Sequence, residues 1–412
     1  FDFRLFFSEV FHEKGGFDVV IANPPYVQIK QIPWEERKVY KKIFTSATGR
    51  FNLFCFFLEI SSKIAKNGGV SIFIVPDRLL LNTQYANLRS WLLNKQQIVE
   101  LVSFDESVFE HAVVDNIIII YKNIQKPYEY VKAKSKILPN SLYSVKPNWI
   151  PISYFISSPS NQFDLEYDPK KDSLVKKIRE KSIPLKKIAE IKDGIIQSKI
   201  ADKLFLTKPM DKYSKKLLFG KDIDRYILKF SNNWVNYKPK EMMKIELNRV
   251  KGAPGLRMRK KEIFERKKIL TRQTADKIIA TYDEEGYYYS NTLHGTTIID
   301  KNFDTLYVLA ILNSRVLTWY YQANTAEEGK VFAQIKIEIL RKLPILNISL
   351  DKQQPFIDLV NKILSLTQSE DYLENPQKQA RVKEYERQID QLVYELYELT
   401  DEEIKIIEEE IR

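Results

Sequence analysis

Phe17-Asp18-Val19-Val20-Ile21-Ala22-Asn23-Pro24-Pro25-Tyr26 decides how the front of this chain is read. The apolar run to Ala22 predicts a strand, and the paired prolines end it. Proline fixes its own φ and disfavours helix at the residue before it, so a stiff loop leaves the strand at its carboxyl end, where open α/β sheets bind ligands. Asn23 brings a side-chain carbonyl to that loop. Pro24 brings a backbone carbonyl with no N–H, a pure acceptor. Two neighbouring acceptors suit the exocyclic amine of a nucleic-acid base, a poor nucleophile whose lone pair is delocalised into the ring. Tyr26 adds a flat face on which a base taken out of its stack can rest. A proline-rich turn capping a strand is the plain alternative, and the strand in front of the loop favours the chemical reading.

The pattern continues downstream. Gly49-Arg50-Phe51-Asn52-Leu53-Phe54 opens an apolar helical stretch to Lys66, Asn67-Gly68-Gly69 stops it, and Val70 to Pro76 reads as a buried strand. Such a helix returns the chain to a parallel sheet. A second helical segment runs from about Thr83 to Asn94, and strands follow at Ile98–Phe104 and Val113–Tyr121.

Asn23-Pro24-Pro25-Tyr26 resembles motif IV of the amino-methylating DNA methyltransferases, in the form associated with adenine N6, and the order of elements is similar to the catalytic half of the gamma group of those enzymes. The resemblance implies a Rossmann-like α/β domain, S-adenosylmethionine as cofactor and base flipping. It makes Asn23, Pro24, Pro25 and Tyr26 catalytic, matches Phe109 to the aromatic residue that contacts the flipped adenine opposite the tyrosine, and makes Phe51 and Asn52 minor cofactor contacts. Phe109 reads equally well as a core residue at a strand entry. The family's glycine-rich cofactor turn precedes the motif, whereas here 22 residues precede Asn23, the chain starts with Phe1, and its 12 glycines form no Gly-x-Gly fingerprint. The expectation is a carboxyl-terminal portion of a longer polypeptide, with the amino-terminal cofactor-binding part as its partner. These 412 residues alone are then not expected to bind S-adenosylmethionine well or to methylate DNA.

Composition narrows the function classes. A chain of 412 residues, 44% hydrophobic, can bury more than one core. The lone Cys55 excludes a disulfide framework, and three scattered histidines argue against a zinc site. Cys55 lies inside an apolar helical run, without the Pro-Cys turn of cytosine carbon-5 chemistry. No signal peptide or membrane-length apolar run is visible, so a cytoplasmic protein without a membrane partner is expected.

The net charge of +11 is unevenly spread. Lys181 to Lys342 holds 33 basic and 19 acidic residues, whereas Asp351 to Arg412 holds 8 and 16. A basic middle region suits double-stranded DNA, whose phosphates release condensed counterions when neutralised. The candidate contacts are Lys221, Arg225, Lys260, Lys261, Lys267, Lys268, Arg272, Asn291 and His294; Lys260, Lys261, Lys267 and Lys268 stand in a basic cluster with Lys251, Arg257, Arg259 and Arg266, and Arg272 follows it. The lysine runs suit phosphates. Arg272, ahead of Gln273-Thr274, suits a base edge, and Tyr287, Tyr288 and Tyr289 suit stacking.

Ile188 to Ile195, Leu218 to Tyr226, Lys268 to Gln273, Tyr307 to Ser314 and Ile339 to Ile345 resemble, in order and spacing, the TaqI-like carboxyl-terminal specificity domain of single-chain type IIG restriction-modification enzymes. The resemblance implies target-sequence recognition there. The expected organisation is the second half of a methyltransferase domain at 1–125, a proline-punctuated connecting segment at 126–180, an α+β target-recognition domain at 181–346 and carboxyl-terminal helices at 347–412. Val382, Tyr385, Ile389, Leu392, Leu396 and Leu399 step along one helix face, and Thr400 with Glu403 forms a capping-box pattern. The favoured function is the catalytic and target-reading portion of an adenine-N6 DNA methyltransferase of a restriction-modification or phage-defence system. The alternative is a nonenzymatic specificity subunit that recruits a separate methyltransferase, and such a reader needs no base pocket.

Overall fold

The computed structural model describes residues 2–46, 48, 51–109, 115–249, 255–325 and 334–411. Gly49, Arg50, Val113, Val114 and Lys251, which entered the sequence reading, lie outside them. The chain forms two compact units, Phe1–Asp172 and Ser173–Arg412.

In the first unit a mixed sheet runs in the order β1-β2-β4-β3-β5-β6, formed by Phe17–Ala22, Ala65–Pro76, Gln97–Phe104 (β3), Asn116–Lys122 (β4), Tyr130–Ile137 and Asn148–Pro151. β1 and β2 are parallel, as the intervening helix Phe54–Ile64 (α1) requires. β2 starts at Ala65, earlier than the glycines suggest. Gly68 takes φ +77°, and a Cβ on Gly69 would stand 2.8 Å from the Phe17 carbonyl oxygen. Gly69 therefore permits a close backbone approach inside the strand and Gly68 supplies the left-handed backbone beside it, so neither ends the helix. β4 inserts antiparallel between β2 and β3, pairing Pro76 with Asn116 and Ser103 with Ile117.

The segment expected to connect the two regions joins this unit as far as Asp172. β5 and β6 extend the sheet, while Phe155, Phe163 and Leu165 enter the core with Phe54, Leu58 and Ile119. Arg89, on the helix Ala86–Lys95 (α2), is buried with no carboxylate partner among the described residues and donates to the carbonyls of Leu79, Asn82, Ser160 and Asn161. Burial lowers its pKa to about 10, and the four carbonyls satisfy the cation while holding the later segment down.

The second unit contains two four-stranded sheets. One orders Ala280–Asp283, Lys268–Arg272, Leu293–Ile298 and Ala189–Asp193 side by side, all antiparallel. The other joins Tyr288–Tyr289, Ser214–Leu218, Trp234–Asn236 and Phe205–Leu206. The helix Thr305–Asn313 (α3) is buried on all sides from Tyr307 onward, and the Asn313 amide exchanges hydrogen bonds with the backbone of Ala280 at 3.0 and 2.9 Å. The helices Leu350–Thr367 (α4) and Pro376–Leu396 (α5) pack on each other, and α4 packs on α3. Thr400 with Glu403 forms the anticipated capping box. The fold is thus a Rossmann-like α/β sheet unit followed by an α+β unit with carboxyl-terminal helices. No helix among the described residues is long and apolar enough to cross a membrane.

Candidate catalytic loop and nucleic-acid interface

Strand directions put the Asn23 loop at a common sheet end. Ala22 pairs with Phe73 near the end of parallel β2, Pro76 at the end of β2 pairs with Asn116 at the start of β4, and Ser103 near the end of β3 pairs with Ile117. The loops after β1, β2 and β3 therefore open on one edge. Asn23 and Pro25 are exposed on that edge, Pro24 is buried and Tyr26 is half-buried.

Tyr26 is fixed by its hydroxyl, which donates to the Ile74 carbonyl oxygen at 3.1 Å and accepts from Asn116 Nδ2 at 3.0 Å. Burial raises its pKa, keeping the phenol protonated for that donation. Its ring meets Phe54 edge-on at 6.5 Å. The loop is zipped to the start of α1 by Leu53 N donating to Val27 O and Ile29 N to Phe51 O, both at 3.0 Å. Tyr26, Phe51 and Asn52 consequently line one cavity of about 210 Å³, together with Pro76, Arg78 and Tyr85. The structure thus brings the expected catalytic tyrosine and both expected cofactor residues together. Phe109 lies on the loop after β3, 37% exposed, its carbonyl accepting from Ser107 Oγ, and is not among the cavity's lining residues.

Asn116, Arg78 and Tyr85 were not anticipated. The usable signal for Asn116 was an amide at the first position of a strand that begins at the ligand-binding sheet end. Only the strand register shows that it meets Tyr26.

Truncating Tyr26 to alanine is expected to weaken capture of an extruded base by roughly 1 to 3 kcal/mol, the usual worth of base–aromatic stacking. Titration of duplexes carrying a fluorescent base analogue at the target position checks it. An unchanged fluorescence amplitude and affinity would remove the platform role.

In the second unit the expected DNA contacts separate by environment. Lys260, Lys261 and Lys267 are exposed, Lys267 pairing with Glu284. Lys268 is corrected: its side chain is 0% exposed, paired with an equally buried Asp283 and donating to the Phe264 carbonyl oxygen. His294 is corrected too. At 1% exposure, its Nδ1 lies 2.9 Å from Asp193 Oδ1 and its Nε2 2.8 Å from the Ile335 carbonyl oxygen, so both ring nitrogens are used internally. The His294 hydrogen bond holds the Asp193 carboxyl below the usual range. Arg225 donates to the Asn313 carbonyl oxygen at 2.5 Å and pairs with Glu386 at 3.2 Å, which commits it to the end of α3. Tyr288 and Tyr289 are buried core residues, Tyr288 stacking on Phe264 at 4.4 Å. Asn291 is half-buried on the turn that follows them, its N–H bonded to the Ile195 carbonyl oxygen. Lys221 and Arg272 line a second cavity, of about 600 Å³.

Replacing Lys260, Lys261 and Lys267 together by alanine is expected to weaken binding to all duplexes alike and to flatten the salt dependence by about 0.9 in log–log slope per lost phosphate contact. Binding isotherms at several salt concentrations measure the slope. An unchanged slope would leave these lysines as solvated surface.

Residues 1–109 match the family described as Eco57I restriction-modification methylase, and residues 215–345 match the TaqI-like C-terminal specificity domain. The chain carries these two modules in the order that the Asn23 loop and the Leu218–Tyr226 segment anticipated. The putative type II restriction enzyme and methyltransferase RM.MjaORFECS2P of Methanocaldococcus jannaschii is 29% identical over 96% of this chain and 32% of its own length. The type II restriction enzyme and methyltransferase RM.Eco57I of Escherichia coli is 32% identical over 21% of this chain and 9% of its own. The chain therefore spans about a third or less of these curated relatives. Among solved structures, the type IIL restriction-modification enzyme MmeI in complex with DNA overlays on 93% of this chain and 54% of its own, with TM-score 0.53 and 12% identity, a likeness of fold.

Proposed function

We propose that this chain is the catalytic and target-reading portion of a site-specific DNA methyltransferase that moves a methyl group from S-adenosylmethionine to N6 of an adenine turned out of the duplex. The observation that carries this reading is the Asn23-Pro24-Pro25-Tyr26 loop at the shared sheet end, with Tyr26 fixed by Ile74 and Asn116. In this reading the Asn23 side-chain carbonyl and the Pro24 backbone carbonyl accept the two N–H bonds of the amine, which localises its lone pair for attack. Tyr26 supports one face of the base, and Phe109, on the same sheet edge, covers the other.

The cavity beside Tyr26 fits part of the cofactor. Its lining offers the Phe51 ring as a flat apolar face and the Asn52 amide as a donor and acceptor, groups suited to an adenosyl moiety, at a volume of about 210 Å³ that suits contact with one end of such a molecule. When bound, S-adenosylmethionine supplies an electrophilic methyl on a sulfonium. Lys260, Lys261 and Lys267 seat the duplex through phosphates, and the specificity unit reads the target.

Mapping modified bases in DNA from a host expressing the full-length polypeptide tests the proposal. N6-methyladenine within one recurring sequence is the expected result. Methylcytosine at the site would reject the adenine assignment, and unmodified DNA would favour the nonenzymatic reader.

A further inference from the structure

The Tyr26 hydroxyl sits in a hydrogen-bond chain whose direction is forced. Ladder pairing of β1 with β2 ends at Ala22 and Phe73, and the carbonyl oxygen of the next residue of β2, Ile74, accepts from Tyr26 Oη at 3.1 Å. A carbonyl has no proton to give, and a phenol has one, which burial of Tyr26 keeps in place. The hydroxyl therefore commits its proton to Ile74 and turns a lone pair to its other neighbour. That neighbour, Asn116, must donate, and its Nδ2 lies 3.0 Å away.

The cost of an amide at this position shows what it is for. Asn116 is 2% exposed and heads β4, whose next four residues are all isoleucine. Its Oδ1 is buried with no hydrogen-bond partner among the described residues, so the bond to Tyr26 is the one described polar contact of the side chain. An unpaired buried acceptor costs more than one neutral hydrogen bond returns, so an aliphatic residue continuing the isoleucine run would hold the strand better. Stability does not account for Asn116. What the amide supplies is a second anchor on Tyr26. A hydroxyl bonded to one partner leaves the ring free to swing about that bond, whereas partners on the neighbouring strands β2 and β4 hold it from two directions, and Phe54 meets its edge at 6.5 Å. A stacking partner needs the ring face presented at one angle, because aromatic contacts depend on ring geometry. Asn116 is not among the residues that line the cavity beside Tyr26, which places its influence on the tyrosine and not on the ligand.

We propose that Asn116 is a positioning residue for the target base: by donating to the Tyr26 hydroxyl it holds the ring in the orientation that receives a base turned out of the duplex. The proposal rests on Tyr26 being the base platform, and adds that the pitch of the platform is set from β4 by a side chain that touches no base.

A double-substitution cycle on the full-length polypeptide tests this, read by the fluorescence of aminopurine in place of the adenine that modified-base mapping identifies. Asn116→Leu should lower capture of the analogue about three- to tenfold, the equilibrium worth of one hydrogen bond. Tyr26→Phe keeps the ring, removes the hydroxyl and with it both anchors, and should lower capture at least as much. With Tyr26→Phe already in place, Asn116→Leu should change capture by less than about twofold, because a contact that acts through the hydroxyl cannot be lost twice. Affinity for a duplex without the recurring sequence should stay at the parent's value, and chemical denaturation checks that each variant is folded. An equal effect of Asn116→Leu in both backgrounds would make it a structural residue and overturn the proposal, as would undiminished capture by Asn116→Leu. If that variant does not fold, Tyr26→Phe decides alone: full capture without the hydroxyl overturns the proposal, and a loss confined to capture supports it. No fluorescence rise with the parent itself would instead remove the base-platform reading of Tyr26, and this proposal with it.

Discussion

Asn23→Ala in the full-length polypeptide is expected to lower methyl transfer roughly 100- to 1000-fold, the scale seen when one preorganised polar contact to a transition state is removed. In the proposed reaction the amine becomes nucleophilic only as its lone pair leaves conjugation, and the acceptor on Asn23 would act on that change. A contact made mainly in the transition state appears in turnover, whereas the ground-state grip on DNA resides elsewhere. Asn23 is exposed at the end of β1, so truncating it disturbs no core packing and stability should move by less than about 0.5 kcal/mol. Single-turnover methylation with a matched DNA-binding titration separates the effects. Retained turnover would dismiss the assigned role, and a parallel loss of DNA affinity would make Asn23 a binding residue.

Lys268→Ala should act on a different property. The ammonium of Lys268 lies 2.5 Å from Asp283 Oδ2, both side chains are 0% exposed, and the two residues are direct cross-strand neighbours. Burial pushes the lysine pKa down and the aspartate pKa up, while each charge opposes the other's shift. Removing one member of a buried pair strands the other in a low dielectric, at a cost of about 3 to 5 kcal/mol. Chemical denaturation should report that loss, and the weakened DNA binding expected of an exposed lysine should be absent from the folded fraction. Replacing both residues, with Lys268→Met and Asp283→Leu, should recover most of the stability, because an apolar pair of similar volume avoids the desolvation. A stable Lys268→Ala variant with a reduced salt slope would return Lys268 to the phosphate contacts.

The contrast between Lys260 and Lys268 shows where sequence reading stops. Both stand in lysine-rich runs, and composition assigns both to solvent or phosphate. They part because Lys268 begins a strand whose neighbour presents Asp283 directly across the ladder, a pairing set by register. His294 and Arg225 went the same way. His294 found Asp193 across one strand pair, and Arg225 found the end of α3 and Glu386, partners far away in the chain. Gly68 and Gly69 misled for a related reason: a glycine pair after a helix is a local stop signal, yet the close passage of β1 made it part of a strand.

The sequence by itself determined the features that short-range chemistry controls. The strand before Asn23, the stiffness of the two prolines, the helix returning to a parallel strand and the capping box at Thr400 all follow from φ restriction, hydrophobic period and local hydrogen bonding, whereas the two-module order was legible only through the resemblance of short motifs to known families. Tertiary structure alone decided which side chains share an environment. The clamp of Asn116 and Ile74 on Tyr26, the burial of Lys268 with Asp283, and the cavity that gathers Phe219, Asn233 and Arg272 arise where strands distant in sequence come into register, and no local pattern encodes that register.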